Sequence, residues 1–278
     1  HTPHTGIRAV TPVIEGPDTE PHRIRLLCWN LDGLDPRCIE DRMRAVCDII
    51  NKEKPHVVFL QEVTSLTLPI LAEGCSMYQV IPGGDKHYFT AIMLREGYAQ
   101  YENSSVTPFP TSRMLRNLLS VKCRVKGIKF QVMTSHLESP TDASDYSEER
   151  KRQQVKAFEA MKEADDDRNV LFGGDTNMVD QEVGTLPEDI YDLWETTGQR
   201  EDAMDTYDTV TNDNRPTPGK TLLMRLDRLY IRHSKPTPQV TQVDFELAGT
   251  ERLPCNRFPS DHWGIQAHFN INGVTKPT

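Results

Sequence analysis

Long apolar runs are missing from this chain: no stretch approaches the roughly 20 consecutive apolar residues that a membrane-spanning helix needs. A secretory signal is missing too, since residues 1–10 are mixed and polar. Paired cysteines are also missing. The six cysteines, Cys28, Cys38, Cys47, Cys75, Cys123 and Cys255, form no CxxC spacing, and several sit in apolar runs where buried free thiols are common. That usage points to a reducing compartment, nucleus or cytoplasm, and away from a zinc site. Nor is there an excess of basic charge. The formal net charge is −9, which argues against a general nucleic-acid coat but leaves room for a local basic groove. No internal repeat or low-complexity tract is visible.

What is present is 278 residues with 37% hydrophobic content, enough for a substantial core and for one large or two small domains. Residues 1–21 carry four prolines and little periodicity, and read as a flexible leader or linker. Residues 22–278 read as one folded domain. The run 24–29 reads as a buried strand that ends in Asn30-Leu31-Asp32-Gly33. A helix over 39–52 puts Ile39, Met43, Val46 and Ile50 on one face. Pro55 precedes a central strand at 57–60, which ends at Gln61-Glu62.

Further strands are expected near 78–81, 89–94, 118–125 and 128–135, with Lys126-Gly127 as a tight turn between the last two. A helix spans 148–164, with Ser147 as its N-cap, Glu148 and Glu149 in its first turn, and Val155, Phe158 and Met161 toward the core. A strand at 170–172 leads into a loop at 173–177, and strands follow near 226–232, 240–247 and 263–269. The stretch 187–220 reads as a long polar loop suited to substrate contact or mobility. Strands recur on both sides of the 148–164 helix. An α/β fold of two packed sheets with helices outside accounts for that order.

The apolar strands share a habit: each ends in a polar set. The sets are Asn30 with Asp32; Glu62; His136, Glu138 and Ser139; Asp175 with Asn177; and Asp261 with His262. Taken singly, an Asp after Gly-Gly is a turn residue, a lone His is a satisfied structural group, and Glu62 is a surface carboxylate. Strand ends gather at one edge of a sheet, however, and five sets at five strand ends can converge. Their chemistry suits phosphoryl transfer. Magnesium takes oxygen ligands, and manganese shares that preference, so Asp32 and Glu62 are candidate ligands. Asp175 can orient or deprotonate a water. Asn177, His136 and His262 can donate hydrogen bonds to developing negative charge, with Asp227 as a partner that fixes the His262 ring.

In order, the motifs WNLDG, LQEV, SHLES, GGDTN, LDRLY and SDHWG, from Trp29 to Gly264, resemble those of the endonuclease/exonuclease/phosphatase superfamily. The resemblance implies a four-layer αββα sandwich of two packed mixed sheets flanked by helices, with one metal-centred site. It implies Glu62 as main metal ligand, Asp32 near metal-bound water, Asp175 and Asn177 at nucleophile and phosphate, Asp227 behind His262, and Asp261 paired with His136. Asn30 belongs to the same catalytic set. The stretches at 29–35, 88–94, 114–119, 136–139 and 173–177 are similar to the 5′-tyrosyl-DNA phosphodiesterases of that superfamily.

That similarity implies hydrolysis of the bond between a tyrosine and a DNA 5′-phosphate, the adduct of a trapped topoisomerase II, during DNA repair. It implies Mg²⁺ as cofactor with Mn²⁺ able to substitute, a nuclear and also cytoplasmic location, and a monomer without membrane contact. Tyr88, Arg116, Ser139 and Asp180 are the substrate-binding residues it implies. It departs at Val179, where the family pattern places an arginine. Two other readings stay open. One is a different branch, such as an abasic-site endonuclease, a deadenylase or a phosphoinositide phosphatase. The other is a non-catalytic module that kept the fold.

Overall fold

Alternation of side chains along each strand sends successive residues to opposite faces, and here both faces of the central strands are apolar. In β1 (Arg23–Asn30), Leu26 and Cys28 point one way, Leu27 and Trp29 the other, and all four are buried. Such a strand needs a layer on each side. The computed structural model describes residues 16–274 and supplies both. Strands and helices are numbered in chain order.

One sheet runs β13 (Val240–Ala248), β14 (Gly264–Ile271), β1, β2 (Val57–Val63), β4 (Phe89–Arg95) and β3 (Tyr78–Pro82). The other runs β5 (Ala99–Pro108), β6 (Asn117–Val125), β7 (Ile128–Thr134), β8 (Asn169–Asp175), β12 (Asp227–Arg232) and β9 (Tyr191–Asp192). A short ribbon of β10 (Tyr207–Asp208) and β11 (Leu223–Met224) stands apart. Each sheet holds one parallel pair, β1 with β2 and β7 with β8. A parallel pair needs a crossover. The helices α1 (Ile39–Glu53) and α3 (Ser147–Glu163) supply the two, while α2 (Thr67–Gly74) packs beside α1.

The central core lies between the sheets, where Leu26, Cys28 and Phe59 join Val121, Phe130, Leu171 and Ile231. Outside the first sheet, Leu27 and Trp29 pack with Met43, Val46 and Ile50 of α1. Outside the second, Phe172 and Tyr230 pack with Ala157, Phe158 and Met161 of α3. Phe158 meets Tyr230 edge-on at 5.1 Å between ring centroids; truncating such a ring to Ala costs about 3–5 kcal/mol. The result is the four-layer αββα sandwich expected from the sequence.

Several local readings are corrected. Ser147 opens α3 rather than capping it: Tyr146, at φ 56°, holds the cap position, and the Ser147 hydroxyl donates to Glu182 at 2.7 Å. Val155 is 53% exposed, because the inner face of α3 is polar at its start. Arg150 and Gln153 turn inward to bind Glu138, so the apolar residues alone misstate which face is buried. The expected loop at 173–177 begins later, as Gly173 to Asp175 continue β8.

The supposed loop at 187–220 contains β9, α5 (Leu193–Thr196), a 3₁₀ turn at Glu201–Ala203 and β10. Helix α2, the short α4 (Asp180–Val183) and the edge strand β5, exposed from Gln100 onward, carry no clear apolar periodicity and were not anticipated. Of the expected leader, residues 1–15 lie outside the described residues; Asp18 pairs with Lys126 at 2.7 Å.

Candidate active site

Chain direction explains why the polar sets meet. Strands β1 and β2 run parallel and finish at the same edge, as do β7 and β8. Strands β12 and β14 run antiparallel to them and start there, so Asp227 lies opposite Asp175 in register and Asp261-His262 sit just before Gly264. Backbone irregularities then aim the side chains. Asp32, Glu62 and Asn177 adopt left-handed φ of 50°, 55° and 51°, a conformation that costs about 1–2 kcal/mol for such residues and clusters at functional sites. Glu62 sits in a bulge between Leu60 and Val63 of β2, a device that re-aims a side chain at a strand end. A Cβ at Gly33 would run into the Glu62 carbonyl, so only glycine lets the Asp32 loop close on Glu62.

Asn30 joins the two sheets. Its Nδ2 donates to Glu62 Oε2 at 2.7 Å and to Asp175 Oδ2 at 2.8 Å, and its Oδ1 accepts from the Asp32 backbone N–H at 2.9 Å. Asp175 also accepts from the Asn177 backbone N–H at 3.1 Å and faces Nε2 of His136 at 3.3 Å and of His262 at 3.5 Å. The other nitrogen of His262 lies 2.8 Å from Asp227, which accepts from the Thr206 hydroxyl at 2.6 Å. Burial opposes charge on Asp175, yet the His262 charge and the His136 hydrogen bond outweigh it and hold its pKa below the usual carboxylate range. Burial likewise opposes charge on His262, and the Asp227 and Asp175 carboxylates raise its pKa well above the ordinary value. The two acidic neighbours thus favour the imidazolium form of His262, while burial raises the Asp227 pKa and the His262 charge opposes that rise.

The expected His136–Asp261 pair does not form. His136 projects from the end of the second sheet beside β8 and meets Asp175, and its Nδ1 has no hydrogen-bond partner among the described residues. Asp261 lies on the first-sheet side, with Glu62 and Asp32. There the electrostatics invert. Burial, then Asp261 and Glu62, push Asp32 up to about 8. Burial pushes Asp261 to about 6, with the His262 charge pulling it down and Glu62 pushing it up.

Three carboxylates that repel one another are a hard oxygen donor set, and a divalent cation is the counter-charge that fits them. Glu62 also lies within metal-ligand reach of His136 and Asp175, and Asp175, Asp227 and His262 form a second such group, but the facing atoms of these residues already bind one another. Glu62 with Asp32 and Asp261 offers the all-oxygen set that such a cation prefers. The guanidinium of Arg42, fully buried, holds the loops by donating to the carbonyls of Leu31, Asp32, Asp35 and Pro259.

Residues 27–262 match the model of the Endonuclease/Exonuclease/phosphatase family. The chain belongs to that family. Tyrosyl-DNA phosphodiesterase 2 of Rattus norvegicus is 40% identical over 251 residues, spanning 89% of this chain and 67% of that protein. Its Danio rerio counterpart is 39% identical over 256 residues, spanning 91% and 68%. A crystal structure of Danio rerio TDP2 complexed with single strand DNA product superimposes with a TM-score of 0.86 at 39% identity, covering 89% of this chain and 99% of that one.

Within this endonuclease/exonuclease/phosphatase domain, a second group of residues leads away from Asp175. Asn177 Nδ2 donates to the Leu137 carbonyl at 3.0 Å and to Ser139 Oγ at 3.2 Å. Arg116 Nη2 donates to the same Ser139 Oγ at 3.1 Å, and its guanidinium lies 4.9 Å from the centre of the Tyr88 ring. Arg116 and Tyr88 also line a cleft of about 120 Å³ together with Lys86, His87, Leu115 and His136. Glu138 is committed to support: it accepts from Ser112 Oγ and from the backbone N–H groups of Arg113 and Met114, which fixes the Arg116 loop.

Asp180 stands apart from this group, bound to Arg228 at 2.7 Å and Arg225 at 3.3 Å. Its carboxylate is a partner for cations and is not joined to the Asp175 network. Val179 precedes it at the N-terminus of α4. Sequence reasoning missed Thr206, Tyr207 and Arg42. The Tyr207 ring lies 5.2 Å from His262, carried there by the β10–β11 ribbon, and nothing in its polar surroundings in the sequence signals that position.

Proposed function

We propose that this chain is a metal-dependent phosphodiesterase that hydrolyses the bond between a tyrosine side chain and a DNA 5′-phosphate, leaving a 5′-phosphate end. The observation that carries this reading is the likeness to tyrosyl-DNA phosphodiesterase 2 across about nine tenths of the chain, joined to a site with every group the chemistry needs. Glu62, with Asp32 and Asp261, would hold the cation, taken here as Mg²⁺ with Mn²⁺ as an alternative, which supplies Lewis-acid stabilisation of phosphoryl oxygens.

The protein's own groups do the rest. Asp175, held ionised, accepts a hydrogen bond from the attacking water and orients it. Asn177 and protonated His262 donate to the charge that develops on phosphoryl oxygens, and Asp227 fixes the His262 ring. Arg116, Ser139 and Tyr88 line the approach of the nucleic-acid strand. A trapped topoisomerase II remnant on a DNA end is the substrate this chemistry suits, with the protein acting as a monomer in the nucleus.

The test is incubation with a 5′-phosphotyrosyl oligonucleotide, with Mg²⁺ and then with EDTA. The expected outcome is a 5′-phosphate product that requires the metal. Unchanged substrate, alongside cleavage of an abasic-site duplex, would move the protein to another branch of its family. Tight DNA binding without turnover of either substrate would make it a binding module.

A further inference from the structure

The six cysteines are all free thiols, and four of them fall into two neighbouring pairs. Cys47, on α1, hydrogen-bonds Cys75, just past α2, and both are buried. A Cβ on Gly74 would crowd the Cys47 sulfur, so this pair is sealed between helices. The second pair differs in access. Cys38 precedes α1 and Cys255 lies in the segment that leads to Asp261, and both are only half-buried. Cys38 Sγ donates to the Cys255 carbonyl oxygen at 3.8 Å, and the neighbouring Cys255 raises the Cys38 pKa.

The chain holds the two segments together independently of the sulfurs. Arg257 donates to Asp35 at 3.1 Å and to the Asn214 carbonyl at 2.7 Å, and Arg42 donates to the carbonyls of both Asp32 and Pro259. A disulfide needs its two sulfurs brought together and access for an oxidant. The Cys38–Cys255 pair combines close approach with the access that the buried Cys47–Cys75 pair lacks.

We infer that Cys38 and Cys255 form a peroxide-oxidisable dithiol site whose disulfide ties the Asp32 segment to the Asp261 segment. The electrons balance with hydrogen peroxide as oxidant. One thiolate sulfur attacks a peroxide oxygen; a sulfur–oxygen bond forms, the oxygen–oxygen bond breaks, and water leaves. The second sulfur displaces the resulting hydroxyl as another water, forming the sulfur–sulfur bond. Both thiol hydrogens end in water, both sulfurs are oxidised, and the peroxide is reduced.

The site is independent of the reading of the catalytic centre, and so is its test. The intact chain is treated with hydrogen peroxide, alkylated under denaturing conditions and mapped by peptide mass without reductant. The expected result is loss of two of the six alkylatable thiols and a single Cys38–Cys255 cross-linked peptide. Dithiothreitol reverses it, and Cys38→Ser abolishes it while the chain still melts cooperatively. A Cys47–Cys75 cross-link forming first, a disulfide between two chains, or sulfinic acids at Cys38 and Cys255 without a cross-link would overturn it.

Discussion

Two clusters of carboxylates face each other across Asn30, and the protons of Asp175 and Asp32 behave in opposite ways. Asp175, on the second sheet, is held ionised; Asp32, on the first, keeps its proton up to about 8. Both are buried, so desolvation alone does not separate them. The difference is counter-charge. The second-sheet cluster brings its own, in His262 and His136. The first-sheet cluster has Asp32, Glu62 and Asp261 against one another. One half of the site is electrostatically finished by the chain itself, and the other calls for a cation.

Asp175→Asn breaks the finished half most severely. It removes the acceptor shared by Asn30, His136 and His262, and turnover of the phosphotyrosyl oligonucleotide should fall by at least about 10³-fold, with the melting temperature recorded to exclude unfolding. Asp227→Asn should cost about 10²-fold, because His262 loses the carboxylate that fixes its ring and raises its pKa. Its activity should also decline at lower pH than in the wild type as His262 deprotonates, a shift that a pH–rate profile reads directly.

Asp32→Asn sharpens the other half. A carboxyl whose folded pKa lies near 8, against about 3.9 unfolded, binds more protons folded than unfolded across that window. Stability of the metal-free protein should therefore fall as pH rises from about 4 to 8. The finished half slopes differently: Asp175 loses its stabilisation only in acid, below the usual carboxylate range, while His262 begins to lose its own as pH rises past the ordinary histidine range toward its raised pKa. Asp32→Asn should flatten the slope and stabilise the metal-free protein at pH 8 by about 1–2 kcal/mol, measured by urea unfolding; an unchanged slope would assign it elsewhere. The smallest effect is at the cleft. Arg116→Ala should weaken DNA binding a fewfold and lower the slope of log affinity against log salt by about one.

Much of the fold was legible because buried strands announce themselves. The runs around Leu26, Phe59 and Leu171 are continuous apolar segments, and each ends in its polar set. Direction along the sheet then brought Asn30, Asp32, Glu62, Asp175, Asn177, Asp227 and His262 together. The parts that were not legible depend on partners distant in sequence. His136 meets Asp175 rather than Asp261 because of which sheet each strand end belongs to. Arg150 and Gln153 face inward because Glu138 and Glu182 are there to receive them. Tyr207 reaches His262 only through a two-stranded ribbon too short to show a period.

The claim that the first-sheet carboxylates await a cation is tested most directly by calorimetry. EDTA-stripped protein is titrated with Mg²⁺ at pH 7 in buffers of different ionisation enthalpy. Because Asp32 holds its proton up to about 8 and must release it to bind, the account predicts release of about one proton per cation, affinity that rises toward pH 8, and loss of both in Asp32→Asn. Binding with no proton released and no dependence on pH would contradict it.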